Sequence, residues 1–131
     1  MSQKTRFVAL LAAGALALSM SACSGAAGGA ATDCNVGITM PTRSLERWIN
    51  DGEQLKAKLT EAKCTVDLQY ADNKVDQQIS QIQNQIAGGA KILVIASIDG
   101  TALGPVLDQA AKQKIKVIAY DRLINGSPNV D

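Results

Sequence analysis

The residues of this chain best suited to chemistry stand side by side, Asp121 and Arg122. One is an acceptor-only carboxylate and the other a planar fork of donors. They follow Lys116-Val117-Ile118-Ala119-Tyr120, whose β-branched Val117 and Ile118 predict a short strand buried on both faces. In an open α/β sheet, ligands bind just beyond the carboxyl ends of the strands, which puts the pair on that rim. An isolated Asp-Arg pair also reads as a surface turn that merely solvates a loop. What argues against this is repetition: Arg43 and Ser44, Asp72 and Asn73, and Asp99 and Thr101 follow other apolar runs in the same way. Each turn carries polar or charged groups able to bind a ligand's hydroxyls.

Some of these groups have a simpler use. Asp72 or Asn73, and Asp99 or Thr101, are good helix N-caps, and capping is expected to be their main role. Arg43 and Arg122 are not explained that way, because a cation near a helix N-terminus opposes the macrodipole. Trp48, the only tryptophan, lies one turn into the first predicted helix. Two readings stay open for it, core residue or stacking face for a ring-shaped ligand.

The elements that must position these residues alternate regularly. Val36, Ile38 and Met40 mark a strand over 35–40. A helix over 44–63 carries Leu45, Trp48, Ile49, Leu55, Leu59 and Ala62 on one stripe. Strict alternation over 65–70 suits a strand near a sheet edge. Val75, Ile79, Ile82 and Ile86 then define an amphipathic helix stopped at Gly88-Gly89. The most apolar run, 92–98, predicts a central strand. A third helix over 101–113 buries Leu103, Val106, Leu107, Ala110 and Ala111, with Pro105 in or near its first turn. The βαβαβαβ pattern, with a period of roughly 25–30 residues, is the signature of a doubly wound parallel sheet with right-handed crossovers.

Composition removes several function classes. The 131 residues, 47% hydrophobic and 19% charged, suffice for one globular domain or part of one. A net charge of +1 leaves no basic footprint, so no nucleic-acid partner is expected. Histidine is absent, which removes Ser-His-Asp and Cys-His catalysis and most zinc sites. No cofactor is implied. The turn Met40-Pro41-Thr42-Arg43-Ser44 holds no glycine, and neither GxGxxG nor GxxxxGK[ST] occurs, which argues against Rossmann and phosphoryl-transfer enzymes.

Residues 1–23 read as a targeting segment outside the fold. Lys4 and Arg6 form its positive start, and 7–17 is an apolar run too short to span a bilayer. Leu18-Ser19-Met20-Ser21-Ala22-Cys23 resembles the lipobox of bacterial lipoproteins, with Met20 where Leu is more usual. Cys23 is then the lipidated residue, 24–33 a Gly/Ala-rich tether, and 34–131 the folded part, anchored outside the cytoplasmic membrane.

Met40-Pro41-Thr42-Arg43, Leu45-Glu46-Arg47-Trp48, Leu68-Gln69-Tyr70-Ala71-Asp72-Asn73, Gln77-Gln78-Ile79-Ser80-Gln81-Ile82, Leu93-Val94-Ile95 and Val117-Ile118-Ala119-Tyr120-Asp121-Arg122-Leu123-Ile124 resemble the monosaccharide-binding proteins of bacterial ABC importers. The likeness is to the xylose and multiple-sugar branch of the ribose/galactose-binding family. It implies strand order 2-1-3-4, the N-terminal lobe of a class I periplasmic binding protein-like fold, and a monosaccharide held between two lobes. Carried over from the family, Asp121 and Arg122 would bind sugar hydroxyls, with Arg43 and Ser44 contributing from the first turn. Xylose binders place Arg directly before Leu-Glu-Arg-Trp. Here Ser44 stands there and the arginine is one step earlier, which leaves the sugar open. Asp99, on the same rim, and Trp48, if it leans outward, complete the candidate ligand set. A permease is the implied partner, and a receptor reporting a sugar or polyol to a sensor kinase is the alternative. Family members are much longer, so the chain is expected to be the N-terminal portion of a longer protein. A lac-repressor-type regulator shares the lobe but begins with a basic helix-turn-helix, unlike this chain. Acids at strand ends also occur in receiver domains, which work in the cytoplasm.

Cys34 and Cys64 each stand one residue before a predicted strand. In the expected order those strands are neighbours, which is compatible with a disulfide. Two buried free thiols are the other reading.

Overall fold

A computed structural model describes residues 33–131, so the Cys23 lipobox and nearly all of the tether lie outside the described residues. Four parallel strands, β1 (Asn35–Met40), β2 (Thr65–Tyr70), β3 (Ile92–Ile95) and β4 (Lys116–Ala119), form one sheet in the order β2-β1-β3-β4. The crossovers are α1 (Glu46–Glu61), α2 (Val75–Ala87) and α3 (Gly104–Lys112). This is the predicted architecture and strand order.

Strand periodicity sorts the core into two layers. Val36, Ile38, Met40, Val94 and Ala96 pack with Trp48 of α1 on one face. Leu93, Ile95 and Val117 pack with Ile82 and Ile86 of α2 and Leu103, Val106 and Leu107 of α3 on the other. All three helices end in the same way. At α2, Gly89 takes φ 85°, its N–H donates to Ile86 O, and Ala90 N–H donates to Gln85 O. Lys63 and Lys114 occupy the equivalent left-handed position after α1 and α3, at φ 68° and 58°.

Several expectations need correction. Strand β3 stops at Ile95; the Ala96 N–H still donates to Thr39 O at 3.0 Å, and beyond it the chain leaves the ladder while Ala96 and Ser97 stay buried. The β4 strand is not buried on both faces: Val117 is in the core, but Ile118 is 44% exposed. Helix α1 lies over β1 and β2, and among the described residues no helix covers that face of β4. Helix α1 runs from Glu46 to Glu61, which leaves Leu45 before it and Ala62 after it, both off the buried stripe and exposed. Helix α3 starts at Gly104, with Pro105 in its first turn as expected.

Two glutamines of α2 weld it to the sheet. Gln85 Nε2 donates to Ile38 O and Asp67 O, each at 3.2 Å, and its Oε1 accepts from Thr39 Oγ1 at 3.1 Å. Gly37 makes room for it, since a Cβ there would lie 2.6 Å from Gln85 Oε1. Gln78, fully buried, donates to Ala96 O at 3.0 Å and accepts from Ile98 N–H at 2.9 Å. It thereby stands in for the ladder that β3 loses beyond Ile95. Gln78→Ala should lower stability by about 2–3 kcal/mol, because two backbone groups lose their partner at once. Chemical denaturation measures this, and a loss under about 0.5 kcal/mol, the scale of an ordinary surface change, would show that the clamp is not needed.

Candidate functional site

Because every strand pairs in parallel, the four turns that follow them open on one edge of the sheet. On the last of these, Asp121 takes φ 59°. Across it the N–H of Arg122 donates to Tyr120 O at 2.6 Å. A three-residue turn with positive φ at a non-glycine centre is strained, and such strain collects at ligand clamps.

The neighbours of this turn fix its side chains. Arg47 Nη2, from the first turn of α1, donates to Asp121 Oδ1. Its Nε lies 3.6 Å from Asp51 Oδ2, one helical turn on. Arg122 Nη1 donates to the carbonyl of Ser97 at 3.0 Å. Both guanidiniums lie over the Trp48 ring, Arg47 at 4.7 Å and Arg122 at 5.1 Å from its centre. Burial, and then the Asp51 carboxylate, raise the Tyr120 phenol above its ordinary range. Trp48 is 2% exposed. It is a core residue that serves as floor for two arginines, not an open stacking face.

The other predicted residues stand on separate turns of the same edge. Arg43 rests over the Tyr70 ring at 4.0 Å. Tyr70 is itself admitted by Gly52, where a Cβ would meet its hydroxyl at 2.8 Å. The Ser44 N–H donates to Thr42 Oγ1 at 3.0 Å. Asp99 Oδ1 accepts from Thr101 Oγ1 at 2.7 Å and from Thr101 N–H at 2.9 Å. Those bonds, hydroxyl first, hold the Asp99 carboxyl below its ordinary value.

The capping assignments are thereby corrected. Asp99 closes its own turn, and the N-cap position of α3 is Leu103, without a side-chain cap. Asp72 and Asn73 take left-handed φ of 50° and 57° in the turn before α2, whose N-cap position, Lys74, also lacks a side-chain cap. Asx residues suit such a turn because they tolerate this backbone region.

Three contributors were not singled out from sequence. Ser97 supplies the carbonyl under Arg122. Gly100 lets its loop lie flush on the Asp121–Arg122 loop, since a Cβ there would sit 2.7 Å from Leu123 O and 2.9 Å from Ile124 Cα. Arg47 lies in Leu45-Glu46-Arg47-Trp48, four residues before Asp51, a spacing the sequence shows. Its partner 74 positions away is not shown there.

Residues 36–131 match the periplasmic binding protein domain family. The chain belongs to that family. This periplasmic binding protein domain is 51% identical over 102 residues to the multiple sugar-binding periplasmic receptor ChvE of Rhizobium radiobacter, covering 78% of this chain and 29% of the relative. It is 36% identical over 95 residues to the D-xylose-binding periplasmic protein of Escherichia coli, covering 72% and 29%. A solved ABC transporter solute binding protein of Clostridium phytofermentans with bound β-D-glucose matches at TM-score 0.72 and 55% identity, over 73% of this chain and 30% of that one. A carbohydrate transporter solute binding protein of Chloroflexus aurantiacus, in complex with D-glucose, matches at TM-score 0.67 and 34% identity, over 73% and 28%. The chain spans less than a third of each of these proteins.

Proposed function

We propose that this chain supplies one wall of the sugar cleft of an extracytoplasmic substrate-binding lipoprotein, which captures a monosaccharide and delivers it to an ABC permease. The observation that carries the reading is the strained Asp121–Arg122 turn, braced by Ser97 and Arg47, at the carboxyl edge of a parallel sheet. Its chemistry fits a polyhydroxylated ring. Asp121 keeps Oδ2 and spare lone pairs to accept from hydroxyls, and Arg122 keeps donors beyond the one given to Ser97. Arg43 and Ser44 approach from the turn after β1, and Asp99 from the turn after β3. The ligand is bound and released unchanged. The similar proteins named for multiple sugars, xylose and bound glucose support an aldose of that kind.

Calorimetry on the product of the full reading frame, titrated with glucose, galactose, xylose and arabinose, tests this. Saturable one-to-one binding of at least one aldose is expected, and silence against all of them would overturn the reading. The 131 residues alone, with one wall, should bind weakly or not at all. Delivery to a permease, in place of signalling to a sensor kinase, predicts that deleting the gene abolishes uptake of the bound sugar.

The anchor is proposed from Cys23, with 24–33 as tether. Cys23→Ser should move the protein from the membrane fraction to the soluble one and remove the lipid mass. A wild-type protein already released without lipid would refute the anchor and leave the sugar site untouched.

A further inference from the structure

We propose that Asn125 is a site of self-modification, in which the Gly126 backbone nitrogen closes on the Asn125 side chain and converts its amide to a carboxyl. Asn-Gly occurs once in the chain. It lies in an exposed turn outside any helix or strand, and Gly126 takes φ 97° there. Glycine lets the backbone reach that region, and having no Cβ it leaves the attacking nitrogen uncrowded. Among the described residues, no hydrogen bond holds the Asn125 side chain or the Gly126 N–H. Both reacting groups are free to meet. The other asparagines are held. Asn50 and Asn84 lie inside α1 and α2, where the next N–H belongs to the helix ladder. Asn35 Nδ2 donates to Gly88 O at 3.2 Å, and Asn129 Nδ2 to Asp108 Oδ1 at 2.6 Å. After Asn73, the Lys74 N–H donates to Ala71 O at 2.8 Å.

The step balances with water as its only co-reactant. The Gly126 nitrogen gives up its proton and bonds to Asn125 Cγ, the Cγ–Nδ2 bond breaks, and Nδ2 leaves as ammonia. Water then opens the resulting cyclic imide at either carbonyl. Opening at Cγ gives an aspartyl residue. Opening at the main-chain carbonyl gives an isoaspartyl residue, whose backbone runs through the side chain and is longer by a methylene. Nothing is oxidised or reduced. Either product puts a new carboxylate on the loop that begins with Asp121 and Arg122. That loop lies against Gly100, where a Cβ would sit 3.2 Å from Asn125 N.

The test ages the full-reading-frame protein in neutral to alkaline buffer, both native and unfolded in urea. The peptide holding residues 125 and 126 is followed by mass spectrometry and by methyl transfer with an isoaspartate-specific methyltransferase. The native peptide should gain a carboxyl nearly as fast as the unfolded one, mostly as isoaspartyl, and faster as pH rises. Native peptides holding Asn35, Asn73 and Asn129 should keep their amides over the same time. Asn125→Gln should abolish the gain, since the longer side chain closes its ring far more slowly. A native peptide that keeps its amide while the unfolded one loses it would overturn the proposal, because the turn would then hold the two groups apart. Conversion to aspartyl alone would do the same, being direct hydrolysis without the ring. So would an equal gain in Asn125→Gln.

Discussion

Replacing both Asp121 and Arg122 by alanine should weaken monosaccharide binding by about two to four powers of ten. Hydrogen bonds to charged groups contribute about 1.5–3 kcal/mol each, and about 1.4 kcal/mol is tenfold. Asp121→Ala alone should cost about one to two powers of ten by the same arithmetic, and Arg122→Ala at least as much. The arginine loss has a further source in the structure. One arm of its fork donates to the Ser97 carbonyl and the guanidinium lies over Trp48, so its removal also uncovers the indole and leaves that carbonyl without its partner. Arg122→Lys should recover only part, since an ammonium lacks the planar fork. Calorimetry of the full-reading-frame protein reads all four variants, and circular dichroism checks that they fold. Unchanged affinity in the double variant would remove both residues from the site.

Breaking the link between Cys34 and Cys64 should destabilise the fold by about 3–4 kcal/mol on the loop-entropy model. The two sulfurs are joined at the amino edge of β1 and β2, with Cα atoms 4.7 Å apart and the residues 30 positions apart in the chain. The backbone around them is already paired, Thr65 N–H donating to Cys34 O at 2.8 Å. The bridge therefore closes a loop that includes all of α1, and acts chiefly by restricting the unfolded chain. The Cys34→Ser/Cys64→Ser variant should unfold at lower denaturant with little change in the sugar-binding edge, which lies at the opposite end of the strands. Thiol titration of denatured, unreduced protein provides the check. Two reactive thiols from Cys34 and Cys64 would refute the bridge.

These two effects sit at opposite edges of one sheet, and they were unequally legible in the sequence. Apolar periodicity located every strand and helix, and the regular alternation led to a parallel sheet. The errors fell where local pattern and packing part company. Ala96 to Ile98 continue the run of β3, yet Gln78 takes the Ala96 carbonyl and the Ile98 N–H in place of ladder partners. Leu45 has the spacing of a core residue but precedes the first helical turn, so it faces outward. Ile118 has the side chain of a buried strand but lies where no described helix covers the sheet.

The candidate site divides along the same line. The positions of Arg43, Asp99, Asp121 and Arg122 after their strands follow from sequence alone, because alternating elements in a parallel sheet must bring those turns to one edge. Which of them cooperate was decided by tertiary structure. The Arg47–Asp121 pair, the Ser97 carbonyl under Arg122 and the approach of Gly100 to Leu123 join residues 74, 25 and 23 positions apart. The left-handed turns at Asp72, Asn73 and Asp121 likewise depend on how the loops close. Periodicity is a property of neighbours along the chain, whereas a bond between two loops exists only after the helices between them have packed and set the distance.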